Sequence, residues 1–467
     1  MRYSTRLNFN SASATFVALL HLAVANFFYF RGVLNEVYYW AALFIFIALP
    51  VYLIAALRNR FIIYEAVFLI LFGFTVNYTA VLFWNPDTIN SYDHEGVVSV
   101  MKLLIGGTLF FLVGYYIKAG KILAAKLPIR NLLISREQIL RFSLKFYFVG
   151  WFLRIVFQIL GVPLFEGWRI LSTVMGGSVH TALMIDAFVY FSSAEFSMPA
   201  SQKKRILARL MFFLVLEVVY AIIYTGMREL VILPFILIFV VYIKAKKKIP
   251  YILIITFIIF AVTFVMPFIA AFRSKHWFGG TATESFKHAF ATISDKEESI
   301  KGNEAALKRL SSSLYLAVVC IEKKKEGLSV QTYENPMDYV SRFIPRFLWP
   351  TKPYVDYNLI GKKLGIIGEG DVSTSVGLPL MASMILNNGP VGAILTFFII
   401  GIIGRILWEW LIVRTGANLL AFIVYFNTIY LWMRDEEFYV SLHSTLSFII
   451  YIYIFFGFVS RSKLFNR

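Results

Sequence analysis

Residues 250–271 read PYILIITFIIFAVTFVMPFIAA and contain no charged side chain. An α-helix rises about 1.5 Å per residue, so a stretch of this length covers the roughly 30 Å hydrocarbon core of a bilayer. It therefore predicts a helix that crosses a membrane. The same pattern recurs along the chain, and we predict twelve spans, at residues 11–30, 38–57, 61–84, 98–117, 142–160, 178–195, 209–225, 230–243, 250–271, 390–411, 416–432 and 438–459.

The composition excludes a soluble domain and a disordered chain. Of the 467 residues, 59% are hydrophobic and 15% are charged, whereas about 25% are charged in an ordinary soluble domain. A soluble fold of this composition would expose large apolar patches, and a disordered chain needs far fewer apolar residues. The single cysteine, Cys320, excludes an internal disulfide framework and a cysteine-rich zinc site. We therefore predict an all-α polytopic integral membrane protein.

The basic residues predict the orientation of the spans. The chain has 45 Lys and Arg against 27 Asp and Glu, a net charge of +18. If the N-terminus is cytoplasmic, 22 of these cations lie in the inner segments and four in the short outer turns. Because cytoplasmic loops carry the excess of Lys and Arg, we predict that both termini are cytoplasmic. Topology thus explains much of the positive charge, and we expect no nucleic-acid partner.

One outer loop is long. Residues 272–389 separate nine spans in residues 1–271 from three spans in residues 390–467, within one integral domain. A helical pattern follows Gly302-Asn303 and has Gly327 as a plausible C-cap, and Asn335-Pro336 indicates a second helix start. A loop of this length with its own helices is more often functional than a tether. We predict a large, partly helical extracytoplasmic loop.

The sequence contains no nucleotide-binding loop, no His-Glu-x-x-His and no G-x-S-x-G motif. The six histidines have no metal-ligand spacing, so we predict neither a metal nor a cofactor. Energy for any reaction must then come with the substrate or from an ion gradient.

Residues 341–353, SRFIPRFLWPTKP, form the most informative motif, and we call them the cationic run. Arg342, Arg346 and Lys352 alternate here with aromatic and proline residues. Arginine offers a planar fork of donors for phosphate oxygens, and Trp349 suits a sugar or a headgroup. Residue chemistry alone leaves two readings open, a phosphate-containing substrate or contact with anionic lipid.

Residues 344–353 of the cationic run resemble the signature in the large loop of Wzy-type oligosaccharide repeat-unit polymerases. Three further features are similar to that family, namely the turn Thr225-Gly226-Met227-Arg228-Glu229, the glycine-marked stretch at residues 387–392, and Arg434 at an outer turn. Some members carry Arg followed by Gly eleven positions later in two outer loops, and no outer-face arginine here has that spacing.

The resemblance implies a membrane glycosyltransferase of polysaccharide biosynthesis in a bacterial inner membrane. Such O-antigen polymerases transfer a growing glycan from polyprenyl diphosphate to the terminal sugar of another lipid-linked repeat unit, on the outer face of the membrane. Because the donor is already activated, no nucleotide site is needed. The implied partners are the polyprenyl-diphosphate-linked oligosaccharide and the lipid bilayer, with a flippase and a chain-length regulator beside them.

Arginines are expected to carry most of the chemistry, because the leaving diphosphate gains charge in the transition state. We assign catalytic roles to Arg228 and Arg346, and we rank Asp356 first as general base because it follows the cationic run by three residues. The expected substrate-binding residues are Arg154, Arg273, Arg342, Trp349, Lys352 and Arg434. Each arginine has an alternative reading, a side chain that snorkels to the membrane surface.

Arg154 is a special case because it lies within a predicted span. A cation at membrane depth costs about 2.5–3.5 kcal/mol on insertion scales, so it needs a partner or a polar cavity. Asp186 and Glu217 lie in neighbouring predicted spans and are candidate partners. A structural ion pair and a substrate-lining arginine both remain open.

Two other functions compete with the polymerase. A ligase similar to O-antigen ligases would share the spans, the loop and the arginines, but would pass the glycan to a different acceptor. A flippase or transporter of lipid-linked oligosaccharides would line a central cavity with charges from many spans.

Overall fold

The structure is a computed structural model. It describes residues 10–57, 64–84, 86–129, 133, 136–159, 169–192, 198–225, 228–246, 249–277, 280–294, 312–328, 349, 351, 356–371, 376–435 and 437–461. Within these ranges every regular element is helical, as expected for an all-α protein. The helices are α1 Asn10–Phe30, α2 Glu36–Leu57, α3 Ala66–Phe74, α4 Val81–Trp84, α5 Pro86–Asn90, α6 His94–Tyr116, α7 Lys118–Lys126, α8 Arg136–Ile159, α9 Arg169–Phe191, α10 Ala200–Tyr220, α11 Arg228–Lys246, α12 Tyr251–Phe260, α13 Met266–Trp277, α14 Ala282–Ser294, α15 Ser312–Lys325, α16 Tyr357–Lys363, α17 Leu380–Trp408, α18 Leu419–Met433 and α19 Phe438–Arg461.

Six helical stretches of the described residues are long and apolar enough to cross a membrane. They are Glu36–Leu53, Ala66–Phe83, His94–Tyr116, Ala200–Tyr224, Tyr251–His276 and Leu380–Val413. Three shorter apolar helices are Ala14–Phe30, Leu419–Met433 and Phe438–Ile454. The all-α prediction is therefore confirmed for the described residues, and several of their helices are suited to crossing a membrane. The other three predicted spans lie on α8, α9 and α11, and the total of twelve and the sidedness stay predictions.

Four of the apolar helices are continued by a π-helical turn of five residues. These turns are Thr75–Thr79, Ala221–Thr225, Ala261–Val265 and Glu409–Val413. A π-turn places one extra residue in the helix and redirects the side chains that follow it. The first of them carries Tyr78, whose hydroxyl belongs to the candidate site described below.

The chain forms two compact units. The first contains residues 1–134, 163–174 and 311–467, and the second contains residues 135–162 and 175–310. The long predicted loop is thus shared, with residues 272–310 in the second unit and residues 311–389 in the first.

In the first unit, α6 and α17 approach each other through glycines. A Cβ atom added at Gly114 would overlap the backbone oxygen of Phe398, and one added at Gly401 would overlap that of Phe111. Small residues at such crossings allow the backbones of membrane helices to pack closely. In the second unit, α13 and α14 pack through Phe268, Phe272 and Ala289, against Ala221 and Val231.

One helix within the predicted loop ends where the sequence predicts. Gly327 ends α15 in the left-handed conformation (φ 84°). The N–H of Gly327 donates to the carbonyl oxygen of Lys324, and the N–H of Leu328 donates to the carbonyl oxygen of Lys323. This is a Schellman C-cap, as the glycine predicted. The predicted starts at residues 302–303 and 335–336 lie outside the described residues.

The span predicted at residues 390–411 has a helical extension before it. α17 begins at Leu380, and Gly389 (φ 69°, ψ 177°) interrupts it immediately before Pro390. Residues 380–386 are buried, and all but Ser383 are apolar, which explains why they form a packed helix. Gly389, in the stretch that the sequence marks as the entry to this span, is therefore a kink between two helical pieces.

Candidate functional site

Asp435 lies in the turn between α18 and α19 and joins three parts of the first unit. Its side-chain Oδ2 accepts a hydrogen bond of 2.7 Å from the Tyr78 hydroxyl, and its backbone oxygen accepts one of 3.0 Å from the N–H of Leu380. The backbone has a positive φ of 63°, which few non-glycine residues adopt although Asp and Asn tolerate it. A residue held in this way fixes the start of α17 and the π-turn relative to the α18–α19 turn.

Burial raises the pKa of the Asp435 carboxyl to about 7. The hydrogen bond from Tyr78 opposes this shift without cancelling it. The side chain is 4% exposed, and Oδ1 has no hydrogen-bond partner among the described residues. A carboxyl with this pKa changes its protonation state near neutral pH, as a general base at pH 7 must.

Glu437 is a second buried carboxyl in the same turn. Its Oε2 accepts a hydrogen bond from the hydroxyl of Tyr357, the first residue of α16. Its Oε1 has no hydrogen-bond partner in the described part of the chain. We call Tyr78, Tyr357, Asp435 and Glu437 the Asp435 cluster.

Asp356, the predicted general base, has a structural task in the present conformation. It is the N-cap of α16, and its Oδ1 accepts hydrogen bonds of 3.0 Å from the N–H groups of Asn358 and Leu359. These bonds satisfy donors that are otherwise unpaired at a helix start. Tyr357 follows Asp356 directly, so this cap also orients the tyrosine that binds Glu437. Asp356 as a base stays a prediction.

The structure describes only part of the predicted arginine set. Arg342, Arg346 and Lys352 lie outside the described residues, and Arg228 begins α11 without a described side chain. Trp349 is half-buried.

Two further predicted substrate-binding arginines are described. Arg434 is half-buried at the C-cap of α18, directly before Asp435. Arg273 is half-buried in α13, which belongs to the second unit. The described residues therefore bring Arg434 together with the Asp435 cluster.

Arg154 of α8 is buried and has the ion-pair partner that its depth requires. Its NH2 donates a hydrogen bond of 2.9 Å to Oε1 of Glu217 in α10, and its NH1 donates to Oε2. His180 of α9 completes this Arg154 cluster, with Nε2 at 3.4 Å from Glu217 Oε1. The guanidinium carbon also lies 4.4 Å from the ring centre of Tyr220 and 4.9 Å from that of Trp151. Of the two predicted partners, Glu217 is the one used.

Asp186, the other predicted partner, pairs with Arg209. The Nε of Arg209 donates to Asp186 Oδ2 at 2.7 Å, and its NH2 donates to Ser143 Oγ at 2.8 Å. Arg209 is the first residue of the span predicted at residues 209–225. A buried carboxylate in a neighbouring predicted span, with no other assigned partner, was the signal that could have identified this pair.

The comparisons with known proteins give a family and no function. A family model described as "Domain of unknown function (DUF8712)" matches residues 154–467. No curated protein matches the chain, and no solved structure does.

Proposed function

The chain belongs to the DUF8712 family, and since that family has no assigned function, we propose one from the residues: polymerisation of lipid-linked oligosaccharide repeat units on the outer face of a bacterial inner membrane. The donor is a glycan on polyprenyl diphosphate, and the acceptor is the terminal sugar of a second lipid-linked unit.

One observation carries the proposal most directly. The turn between α18 and α19 contacts two stretches of the predicted long loop: Glu437 accepts a hydrogen bond from Tyr357, and Asp435 accepts one from Leu380 at the start of α17. The stretch before Tyr357 carries the cationic run, and α17 carries the glycine-marked stretch. The turn that carries Arg434 thus contacts a residue that follows the cationic run in the sequence and a residue that precedes the glycine-marked stretch, and all three features resemble the polymerase family.

The proposed transfer needs cations for the leaving group and a carboxylate for the proton. The acceptor hydroxyl oxygen attacks the anomeric carbon of the donor, and the bond from that carbon to the diphosphate oxygen breaks. Cations stabilise the charge that develops on the diphosphate, a role assigned to Arg228 and Arg346. The hydroxyl proton passes to a carboxylate, for which Asp356, Asp435 and Glu437 are the candidates. The reaction needs no nucleotide.

A transporter is the second candidate, and the Arg154 cluster is the observation that favours it. Three helices contribute buried charged or titratable side chains to this cluster at predicted membrane depth. Against this reading, Arg154 and Glu217 neutralise each other, as do Arg209 and Asp186. Paired charges support the packing of α8, α9 and α10, and they leave no net charge for a diphosphate.

A deletion strain separates the candidates by the species that accumulates. Loss of a polymerase leaves single repeat units at the cell surface and no long chains. Loss of a ligase leaves long chains on the lipid carrier, and loss of a flippase leaves single lipid-linked units on the inner face. Complementation with the wild-type gene must restore the ladder of chain lengths on a polysaccharide gel, and a ladder that persists in the deletion strain contradicts the proposal.

A further inference from the structure

The short helix α7 lies at a membrane boundary. It begins two residues after the end of α6, a candidate span, and Ile117 between them is extended (φ −63°, ψ 144°). This extended residue turns the chain away from the α6 direction. The helix itself, KAGKILAAK, is too short and too basic to enter the hydrocarbon core.

Hydrogen bonds hold α7 against the end of another candidate span. Arg414, the residue after the span Leu380–Val413, donates to the carbonyl oxygens of Ala124 and, at 2.7 Å, of Leu127. A cation at the C-terminal carbonyls satisfies groups that a helix leaves unpaired. Trp410 Nε1 donates to the Pro128 oxygen at 2.8 Å. α7 is therefore fixed at the level where α6 and α17 end.

The two faces of α7 differ sharply. Gly120 and Ala124 are buried, and a Cβ atom at Gly120 would lie 2.8 Å from the Cβ of Arg405, so this face packs closely on α17. The other side chains point away from the protein. The exposed residues include Lys118, Lys121, Ile122, Leu123 and Lys126.

The exposed surface of α7 has two aliphatic side chains with three lysines beside them. Ile122 lies four residues from Lys118 and from Lys126, so the three share one side of the helix. Ile122 is 56% exposed and Leu123 is 46% exposed. No Asp or Glu occurs between Gly96 and Ser135. None of the three lysines forms an ion pair with the part of the chain that the structure describes.

We propose that α7 is a binding site for anionic phospholipid headgroups. Ile122 and Leu123 enter the boundary between headgroups and acyl chains, and the lysines extend to the phosphates above them. Lys118 and Lys126 are about 12 Å apart along the helix axis, a spacing that suits several headgroups better than one small anion. The apolar residues also need a lipid environment, which a soluble phosphate does not offer. This site is independent of the proposed polymerisation.

Native mass spectrometry of the full chain, with phosphatidylglycerol and phosphatidylcholine in competition, tests the proposal. In the variant Lys118→Gln/Lys121→Gln/Lys126→Gln, the preference for phosphatidylglycerol should fall at least about tenfold, since each lysine near an anionic surface raises the binding constant about fivefold. The matched control is Lys203→Gln/Lys204→Gln/Arg205→Gln at the exposed start of α10, which should keep it. An unchanged preference in the α7 variant, or an equal loss in the control, overturns the proposal.

A second measurement locates the contact. Cys320 is completely buried, so an environment-sensitive fluorophore can be attached selectively to Ile122→Cys. Its emission should shift to shorter wavelength in phosphatidylglycerol vesicles relative to phosphatidylcholine vesicles, and inorganic phosphate should not reverse the shift. Equal emission in the two vesicles, or reversal by inorganic phosphate, contradicts a lipid site. Unchanged melting temperatures in detergent confirm that the variants are folded.

Discussion

Asp435 combines three features that a merely structural turn residue would not need. It adopts a positive φ, its buried carboxyl has no partner for Oδ1 among the described residues, and its Oδ2 accepts a hydrogen bond from a tyrosine in a π-turn. Strained backbone and unsatisfied buried polar groups are concentrated at functional sites. Nothing in the position of Asp435 along the sequence reveals its burial.

The raised pKa of Asp435 predicts a pH-dependent stability. In the folded state the Asp435 carboxyl keeps its proton up to about pH 7. In the unfolded state its pKa has the ordinary value of 3.8, so it loses the proton at about pH 4. The folded state thus holds more protons between these values, so stability is greatest at low pH and falls as pH rises through 7.

Asp435→Asn should remove this dependence, because Asn tolerates a positive φ and still accepts from Tyr78 but does not titrate. We expect the melting temperature of the wild type, measured in detergent from about pH 5 to about pH 8, to fall more steeply than that of the variant. Parallel curves would show that Asp435 is ionised in the fold throughout this range.

The Arg154–Glu217 pair predicts a strong coupling. Removing either partner leaves a buried charge without compensation, which costs about 3–5 kcal/mol, whereas removing both costs much less. We expect Arg154→Met and Glu217→Met to lower the free energy of unfolding strongly, and the double variant to lose far less than their sum. The exposed Lys323–Glu326 pair is the control, with a coupling of about 0–1 kcal/mol. If the two single variants lowered the free energy of unfolding additively, Arg154 would be better explained as a substrate-lining residue.

At the scale of elements, glycines set the distance between α6 and α17. Gly114→Ala should lower the melting temperature, because the added methyl group overlaps the Phe398 carbonyl oxygen. Gly176→Ala in α9 is the matched control, since nothing lies within 4 Å of its added Cβ. Alanine has the higher helix propensity at both positions, so the control should be neutral or stabilising. A Gly114→Ala protein as stable as the control would contradict the close crossing.

Element positions were predictable where a local signal exists. Long apolar stretches such as residues 250–271 coincide with helices, and Gly327 ends α15 because only a residue that tolerates positive φ fits there. The helical piece at residues 380–388 was missed, since its burial depends on packing against residues distant in sequence. The π-turns were missed for a similar reason, because no residue type marks them. The Asp435 cluster unites residues 78, 357 and 435, which no local pattern connects.

At the scale of the molecule, the division into two units follows from non-local packing. Residues 311–389 belong with the N-terminal helices and residues 272–310 do not, although the sequence presents them as one loop. Hydropathy reports where helices are, and it contains no information on which of them pack together.

The topology gives a prediction for the whole chain. A periplasmic reporter inserted after residue 300 should be active, because the distribution of positive charges predicts that residues 272–389 lie on the outer face. The same reporter after residue 248, in a predicted cytoplasmic segment, should be inactive. Activity of a cytoplasmic reporter at residue 300 would reverse the orientation and remove the outer-face site.

The central claim is tested most directly by reconstitution. The purified chain in vesicles, given polyprenyl-diphosphate-linked repeat units and neither nucleotide nor ion gradient, should produce a ladder of longer lipid-linked glycans. Arg228→Ala and Arg346→Ala should each abolish the ladder, while Lys203→Ala, at the exposed start of α10, should preserve it. Products that never exceed one repeat unit with the wild-type chain, or ladders that persist in both arginine variants, would contradict the account.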